Sequence, residues 1–313
     1  MQPAAAAKKP SLMSASVGRA RARIGLLGNP GDLYGGKVLA ATIDTFETVA
    51  TVTDTVFYAP ASFQPDVADL QRLAIARVAP SKGAIALGLT TDVPVQSGLS
   101  GSSAILLATL RALDAHLDLG LDPLEMARIA WDIEREDLGI VAGPQDRVIQ
   151  ALGGLQYMDF SGPDEIGTHE SLDPDLLPPL LLAWPEEPGT PSGDVHRAVW
   201  ERWSAGDSAV RQSIAGFAEI AETGRQALLD GDTTTLCDAV DANFDLRRTI
   251  FTLDDDQAAL VAAARAAGAA AKFCGSGGAI VVVPRPGTDL DAVADALGPV
   301  ASVCRRVRVS LAP

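Results

Sequence analysis

The chain has 313 residues, enough for two domains of ordinary size, and 47% of them are hydrophobic, which excludes a chain that is disordered throughout. The 40 acidic residues outnumber the 25 lysines and arginines, so the net charge is −15 and the chain has no general attraction to nucleic acid or to an anionic membrane. We expect a protein that acts on small molecules, without a nucleic-acid or membrane partner, as a monomer or a homodimer.

The cysteines and the apolar segments bear on the cellular compartment. Cys237, Cys274 and Cys304 are far apart and odd in number, a pattern that favours neither a disulfide framework nor a zinc site. The apolar runs are short pieces such as residues 279–283, well below the ~20 residues that cross a bilayer. These features predict a cytoplasmic protein.

The first part of the chain alternates predicted strands with turns. Residues 1–20, rich in Ala, Ser, Lys and Pro, predict a disordered leader. Residues 23–27 predict a strand that enters a glycine-rich turn, and the β-branched residues within 38–56 favour strands over a helix. A further strand is predicted over residues 84–91, followed by a loop over residues 92–101.

Two helices are predicted next. After Ser102, leucines recur at spacings of four, three and four residues, which places them on one face of a helix. Asp122, Pro123 and Glu125 then form the pattern of a capped helix start, and this second helix is predicted to extend to about residue 137.

The second half of the chain is predicted to be a separate domain. The prolines and glycines of residues 161–193 indicate a domain boundary or a long loop around residues 180–184. We therefore divide the chain into the leader, an N-terminal domain over residues 21–180 and a C-terminal domain over residues 181–313. The remaining predicted elements are helices over residues 144–153, 194–229, 233–248, 255–267 and 290–297 and strands over residues 155–160, 271–283 and 303–311.

Three glycine-rich loops, residues 28–36, 98–103 and 275–278, are candidates for binding phosphate. Glycine lets backbone N–H groups approach an anion, and a helix that follows adds unpaired N–H groups and the positive end of its dipole. Serine hydroxyls at such a helix start also bind Mg²⁺. A structural role as simple turns is the alternative for each loop. Residues 31–37 nearly form a P-loop, but Val38 replaces the Ser or Thr that would hold the metal, so we reject that motif.

Acidic residues are dense in residues 131–137, and Asp146 lies at the start of the helix predicted after Gly143. Taken alone, such charges are typical of a solvated helix face or of a carboxylate that interacts with the helix dipole. Their significance depends on the order in which they and the glycine loops occur along the chain.

In this order, the three loops and the segment around Asp146 resemble the motifs of the GHMP small-molecule kinases, a family that includes galactokinase, mevalonate kinase and homoserine kinase. Residues 94–104, PVQSGLSGSSA, are similar to the family's phosphate loop with one extra residue, residues 271–279 to its C-terminal glycine motif, and residues 23–36 to its N-terminal motif. Within the family, the extra loop residue and the segment GPQDRVIQ after Ala142 are most similar to the plant-type glucuronokinases.

The resemblance implies an α+β protein with the GHMP kinase fold, in which an N-terminal domain like domain 2 of ribosomal protein S5 precedes a ferredoxin-like C-terminal domain. It implies an active site between the two domains, ATP and Mg²⁺ as cofactors, and a small-molecule sugar as substrate. The implied reaction is phosphoryl transfer to a hydroxyl group, in which the protein mainly positions the reactants and neutralises charge.

The resemblance also implies roles for individual residues. Asp146 matches the catalytic aspartate, which acts either as a base or as a group that positions the hydroxyl, and Arg23 matches the basic residue beside it. Ser103 and Glu134 match the ligands of Mg²⁺, with Glu136 as the competing carboxylate. Nucleotide binding is implied for the loop residues Gly98, Leu99, Ser100, Gly101, Ser102, Ser103, Gly275, Ser276 and Gly277.

For the substrate, the resemblance implies a hexuronic acid, most specifically glucuronate, phosphorylated at the anomeric hydroxyl. Asp32 matches the aspartate that holds substrate hydroxyls, whereas Asn29 and Pro30 depart from the Glu-His of galactokinases. Lys37 and Arg147 are the predicted partners of the sugar carboxylate, because an acidic chain needs local cations to bind an anion. Galacturonate, a heptose phosphate and mevalonate are alternative substrates, and a sugar sensor without turnover is an alternative function.

Overall fold

A computed structural model describes residues 15–54, 65–81, 85–185, 192–253 and 255–312, with the backbone alone for residues 65–68 and 192–195. Most of the predicted leader lies outside the described residues. Its last part was predicted wrongly, because the first strand already begins at Ser16. Residues 16–20 pair with the far end of the second strand and bury Ala20, which explains why they are part of the sheet.

The N-terminal half is built on an antiparallel sheet. A long central strand pairs with the first strand along most of its length, with one neighbour near its start and with another near its end. The fifth strand, which the sequence analysis did not predict, continues the sheet beyond the fourth. The strands are β1 (Ser16–Leu27), β2 (Lys37–Asp54), β3 (Ile85–Thr91), β4 (Leu155–Asp159) and β5 (Thr168–Leu172).

Helices cover one face of this sheet. They are α1 (Pro65–Val78), α2 (Gly101–Leu117), α3 (Pro123–Asp132), which continues as a turn of π-helix over Ile133–Asp137, and α4 (Gln145–Leu152). Helix α2 packs against β1 and β2 with almost every residue from Ser103 to Leu113 buried. Asp122 caps α3 through a complete capping box with Glu125, as predicted.

The C-terminal half carries a second antiparallel sheet of four strands, in which the second strand along the chain pairs with the third, the third with the first and the first with the fourth. This order and the helices between the strands give the β-α-β-β-α-β arrangement of a ferredoxin-like domain, as predicted. The predicted long loop is wrong at residues 180–184, which form a buried strand of this sheet. The elements are β6 (Leu180–Trp184), α5 (Ser192–Ser204), α6 (Ser208–Asp230), α7 (Thr233–Ile250), α8 (Asp255–Ala266), β7 (Ala269–Phe273), β8 (Ile280–Pro284), α9 (Leu290–Leu297) and β9 (Val303–Val307).

The two halves share buried apolar residues. Helix α6 packs against β2, and one hydrophobic cluster contains side chains from both sheets. After β9 the chain returns to the first sheet, where Val309 forms a bridge with Ile43. Within the described residues, no helix is long and apolar enough to span a membrane.

Candidate active site

A cavity of about 870 Å³ lies where the N-terminal ends of α2 and α4 meet the loop after β1 and the loop between β7 and β8. Elements that are distant in the sequence therefore bring the three glycine loops and Asp146 together. Of the predicted site residues, the following line the cavity: Arg23, Asp32, Gly98, Leu99, Ser100, Gly101, Ser102, Asp146, Arg147, Gly275 and Ser276.

Arg23 and Asp146 both line this cavity and form a bidentate ion pair. Arg23 Nε lies 2.6 Å from Asp146 Oδ1, and Arg23 Nη2 lies 2.8 Å from Asp146 Oδ2. The arginine is 5% exposed, and its Nη1 donates to the carbonyl oxygens of Gly98 and Cys274. One guanidinium thus fixes the carboxylate and holds the phosphate loop beside the C-terminal glycine loop, as bidentate geometry permits.

The carboxylate of Asp146 is ionised and fully engaged. Burial opposes its ionisation, but the charge of Arg23 and the hydrogen bonds from Arg23, Ser100 and Gln145 outweigh that cost, so the pKa of Asp146 is lowered. Ser100 Oγ donates to Oδ2 at 2.6 Å, and Gln145 Nε2 donates to Oδ1 at 3.2 Å. A carboxylate with this pKa is a weak proton acceptor but a well-oriented hydrogen-bond acceptor.

Ser100 occupies the place of the extra loop residue. Its backbone has a positive φ of 64°, and its side chain does not cap α2 but turns to Asp146. The first-turn N–H groups of α2 are therefore left for a ligand, and Gly101 and Ser102 at this helix start line the cavity. The sequence predicted that this loop binds phosphate but not that Ser100 contacts Asp146.

The phosphate loop and the C-terminal glycine loop touch backbone to backbone. A side chain at Gly98, whose φ is +75°, would come within 2.3 Å of the carbonyl oxygen of Gly277. A side chain at Gly275 would come within 2.6 Å of the carbonyl oxygen of Gly98. These glycines allow the two loops to pack closely. Gly277, which was predicted to bind nucleotide, packs against the phosphate loop at Gly98.

The two serines at the start of α2 point in different directions, and Ser103, the predicted metal ligand, is the one that does not line the cavity. Ser103 is 1% exposed and donates to Gln150 Oε1 at 2.7 Å. Ser102, one residue earlier on the helix, lines the cavity and donates to Glu134 Oε1 at 2.7 Å. The competing carboxylate Glu136 is half exposed and pairs with Arg77 at the surface.

Glu134 and Arg147 form a buried ion pair behind Ser102. Their side chains are 1% and 5% exposed, and Arg147 Nη1 also donates to the carbonyl oxygen of Gly143. Burial lowers the pKa of Arg147 to about 9. Arg147 lines the cavity but is engaged with an internal carboxylate, so the structure gives no support to its predicted role as the partner of the sugar carboxylate.

Lys37 does not line this cavity, so the structure gives no support to its predicted contact with the substrate. Its Nζ is 2.9 Å from Glu222 Oε2, and it lines a separate groove along α6. Lys37 begins β2 and points toward α6 because that helix crosses the strand on this side.

Asp32 lies in the loop after β1, and its side chain faces the start of α4. Its Oδ2 accepts a hydrogen bond from the amide of Gln145 at 3.2 Å. Burial and then the nearby charge of Asp146 raise the pKa of Asp32 to about 6. Asp32 thus lies near the Arg23–Asp146 pair and lines the same cavity, and its contact with substrate hydroxyls stays a prediction.

The cavity-lining residues that were not predicted from the sequence include Arg247 on α7 and His196 on α5. Arg247 is 2% exposed and lies over the ring of Phe251 at 4.4 Å. An arginine in the last turn of a helix is ordinarily a partner of the helix dipole, so its sequence context gave no sign of this position.

Comparisons with family models and with known proteins find matches along most of the chain. Residues 68–154 match the GHMP kinases N terminal domain, and residues 225–300 match the GHMP kinases C terminal domain. Two Arabidopsis thaliana proteins, Glucuronokinase 1 and Probable glucuronokinase 2, are 38% and 39% identical to the chain. Each alignment covers 84% of this chain and 83% of the relative.

The fold also matches a solved structure. Galactokinase from Lactococcus lactis, crystallised with galactose, superposes with a TM-score of 0.76 over 95% of this chain and 94% of that one. The sequence identity in this superposition is 15%, so the likeness concerns the fold.

Proposed function

The chain belongs to the family of GHMP kinases, and from this premise we propose that it transfers the γ-phosphate of ATP to the anomeric hydroxyl of D-glucuronate. Membership of the family, predicted from the motifs, is confirmed, and the protein is an ATP-dependent sugar kinase. The acidic sugar and its anomeric hydroxyl are the proposed part, supported by two relatives named as glucuronokinases over more than four fifths of both chains.

One observation carries the chemical part of the proposal, the buried Arg23–Asp146 pair next to the open start of α2. We place the phosphates of ATP at the first turn of α2, where backbone N–H groups and the helix dipole favour anions. The sugar hydroxyl then lies at Asp146. Transfer forms a bond from the sugar oxygen to the γ-phosphorus and breaks the bond to the β–γ bridging oxygen, so that ADP leaves with this oxygen. The hydroxyl proton is released to solvent late in the step, once the new bond is forming.

Asp146 acts in this proposal by orienting the hydroxyl. Both of its oxygens already accept hydrogen bonds, and its pKa is lowered, so it is poorly suited to removing a proton early in the reaction. Phosphoryl transfer passes through a loose transition state that makes little demand on a strong base. Arg23 keeps the carboxylate ionised and offsets charge near the transferred group.

The residues present fit a Mg²⁺ ion at Ser102. The proton of the Ser102 hydroxyl is committed to Glu134, which leaves the lone pairs of its oxygen for a cation on the cavity side. Glu134 would hold this hydroxyl in place and lend negative charge from behind it. When bound with ATP, Mg²⁺ neutralises charge on the phosphates.

The test is a panel of acceptors offered to the purified protein with ATP and Mg²⁺. The panel contains D-glucuronate, D-galacturonate, D-glucose, a heptose 7-phosphate and mevalonate, and ³¹P NMR identifies the product. We expect glucuronate to give the highest kcat/KM and a phosphate on C1. Preference for any other acceptor, or phosphate on another hydroxyl, contradicts the proposal.

A matched pair of variants shows whether the product arises at the described site. Asp146→Asn removes the charge of the central carboxylate, whereas Asp159→Asn changes a partly exposed aspartate at the end of β4. We expect the first variant to lose product formation and the second to keep it.

A further inference from the structure

A second buried arginine faces the cavity without a carboxylate partner. Arg247 is 2% exposed, and its Nη2 donates to the carbonyl oxygen of Ser276 at 3.0 Å. Among the described residues, no acidic group forms an ion pair with it, and its Nε has no hydrogen-bond partner. Burial lowers the pKa of Arg247 to about 10, which still leaves the guanidinium charged at neutral pH.

Two further polar atoms near Arg247 are also unsatisfied within the described part of the chain, Tyr34 Oη and His196 Nδ1. His196 meets the ring of Phe251 edge-on at 5.7 Å, and the same ring lies under the Arg247 guanidinium. Tyr34 packs on Trp200, which lies one helical turn after His196 on α5. The three side chains therefore belong to one cluster, which we call the Arg247 cluster.

The cluster offers charge and hydrogen-bond donors to a ligand. Burial and then the Arg247 charge lower the pKa of His196 to about 3, so the imidazole is neutral, and burial raises the pKa of Tyr34 so that it keeps its proton. One cation and two neutral groups able to donate are a set that matches an anion with several acceptor atoms. Burying a guanidinium without an anion costs free energy, and a ligand that supplies the anion removes this cost. An anionic ligand is therefore favoured over a neutral one at this position.

Arg247 and His196 line the same cavity as Asp146, so the cluster can contact another part of a sugar whose hydroxyl lies at Asp146. Arg23 donates to the carbonyl oxygen of Cys274 and Arg247 to that of Ser276, two residues further along the same loop. Two residues span at most about 7 Å of chain, so the two carbonyl oxygens that these arginines contact lie close together in one loop. Arg23 and Arg147 are both paired with internal carboxylates, which leaves Arg247 as the described cavity-lining arginine without one.

We propose that Arg247, assisted by His196 and Tyr34, binds the C6 carboxylate of the hexuronate and sets the preference for an acidic over a neutral sugar. This inference rests on the proposed function, because it requires that the substrate carries a carboxylate. It also replaces Lys37 and Arg147, the cations predicted from the sequence, in that role.

The test compares D-glucuronate with D-glucuronamide, in which a neutral amide replaces the carboxylate. The variants are Arg247→Met, which keeps an apolar stem against Phe251, and Arg248→Gln, a change of the exposed neighbouring arginine on the same helix. We expect the wild type and Arg248→Gln to prefer glucuronate by about 10²-fold or more in kcat/KM. In Arg247→Met this preference falls to within about threefold of unity, and the KM for ATP is unchanged.

Two controls keep the outcomes distinct. The increase in Tm on adding ATP reports whether Arg247→Met is folded. If it is not folded, Tyr34→Phe serves as the second variant: it removes one hydroxyl and is expected to reduce the preference for glucuronate about fivefold. If the wild type acts on glucuronate and both Arg247→Met and Tyr34→Phe keep the full preference, the inference is wrong and the proposed function stands. A rise in the KM for ATP in Arg247→Met, with the preference intact, also overturns it. If the wild type does not act on glucuronate at all, the proposed function itself is wrong.

Discussion

Arg23 and Arg247 are both buried beside the same cavity, yet their surroundings differ. Arg23 is matched by the carboxylate of Asp146 and by two carbonyl oxygens, so its charge is neutralised and its geometry is fixed before any ligand arrives. Arg247 donates to one carbonyl oxygen and leaves its Nε unused within the described structure.

The difference separates two tasks in one site. A fully paired region is rigid and preorganised, which suits chemistry that depends on orientation and charge. An unpaired region is stabilised only when a complementary ligand binds to it, which suits recognition. The five predictions that follow test this division, beginning with the largest expected effect.

Asp146→Asn removes the charge of the paired region without changing its shape. We expect kcat to fall by about 10² to 10⁴, because the hydroxyl is no longer oriented by an anion. The affinity for ATP, measured by calorimetry, stays within about threefold. A variant that keeps more than about a third of the wild-type rate would show that Asp146 has a structural role only.

Arg23→Gln breaks the buried pair and leaves Asp146 without its cation. We expect the free energy of unfolding at pH 7 to fall by about 3 kcal/mol, at the low end for a buried pair because Asp146 is partly exposed. Folding lowers the pKa of Asp146. The pair therefore stabilises the folded protein fully at pH values above the ordinary pKa of aspartate, and this contribution is lost as the pH falls through the lowered pKa of the folded state.

Urea unfolding of Arg23→Gln and wild type at pH 7 and pH 3.5 measures this effect. The deficit of the variant shrinks at the lower pH if the pair acts as described. An equal or larger deficit at pH 3.5 would mean that Arg23 stabilises the fold mainly through the two carbonyl oxygens.

Ser102→Ala and Ser103→Ala test which serine supports the metal. Ser102 faces the cavity and Ser103 is bonded to Gln150, so we expect Ser102→Ala alone to raise the Mg²⁺ concentration for half-maximal rate, by about tenfold. The measurement is a Mg²⁺ titration at saturating ATP. The reverse ranking would restore the assignment made from the sequence motif.

Asp32→Asn tests the group next to the paired region. Because the pKa of Asp32 is raised to about 6, its ionised fraction rises about tenfold between pH 5 and pH 7, and the KM for the sugar falls by a similar factor if the carboxylate holds hydroxyls. In Asp32→Asn the KM is expected to be flat over this range. A wild-type KM that does not change with pH would contradict this role.

Lys37→Gln is expected to have the smallest effect. Lys37 pairs with the half-exposed Glu222 outside the cavity, and such surface pairs contribute less than about 1 kcal/mol. Steady-state kinetics with glucuronate should match the wild type within about twofold. A large increase in KM would place Lys37 at the substrate after all.

Much of the fold could be predicted because its signals are local. The capping box at Asp122 and the leucine spacing in α2 each lie within a few residues, and the structure contains both helices. Strands β5 and β6 were missed because they form by pairing with β4 and β8, which the composition of a proline-rich segment does not indicate.

The site residues were also predictable only where the sequence carried a signal for them. Motif order identified Arg23 and Asp146, although they are 123 positions apart. Adjacency in the sequence suggested Arg147 as a partner of the substrate, but it could not show that this side chain turns on the helix toward Glu134. Arg247 has no local signal, and only the packing of α7 against the C-terminal glycine loop places it at the cavity.

The division between chemistry and recognition is tested most directly by the ratio of kcat/KM for D-glucuronate to that for D-glucuronamide in Asp146→Asn and in Arg247→Met. Loss of Asp146 lowers the rates on both sugars by the same factor, so the ratio stays at the wild-type value. Loss of Arg247 affects the acid alone and brings the ratio near unity. A ratio that collapses in Asp146→Asn, or one that persists in Arg247→Met, would contradict the account.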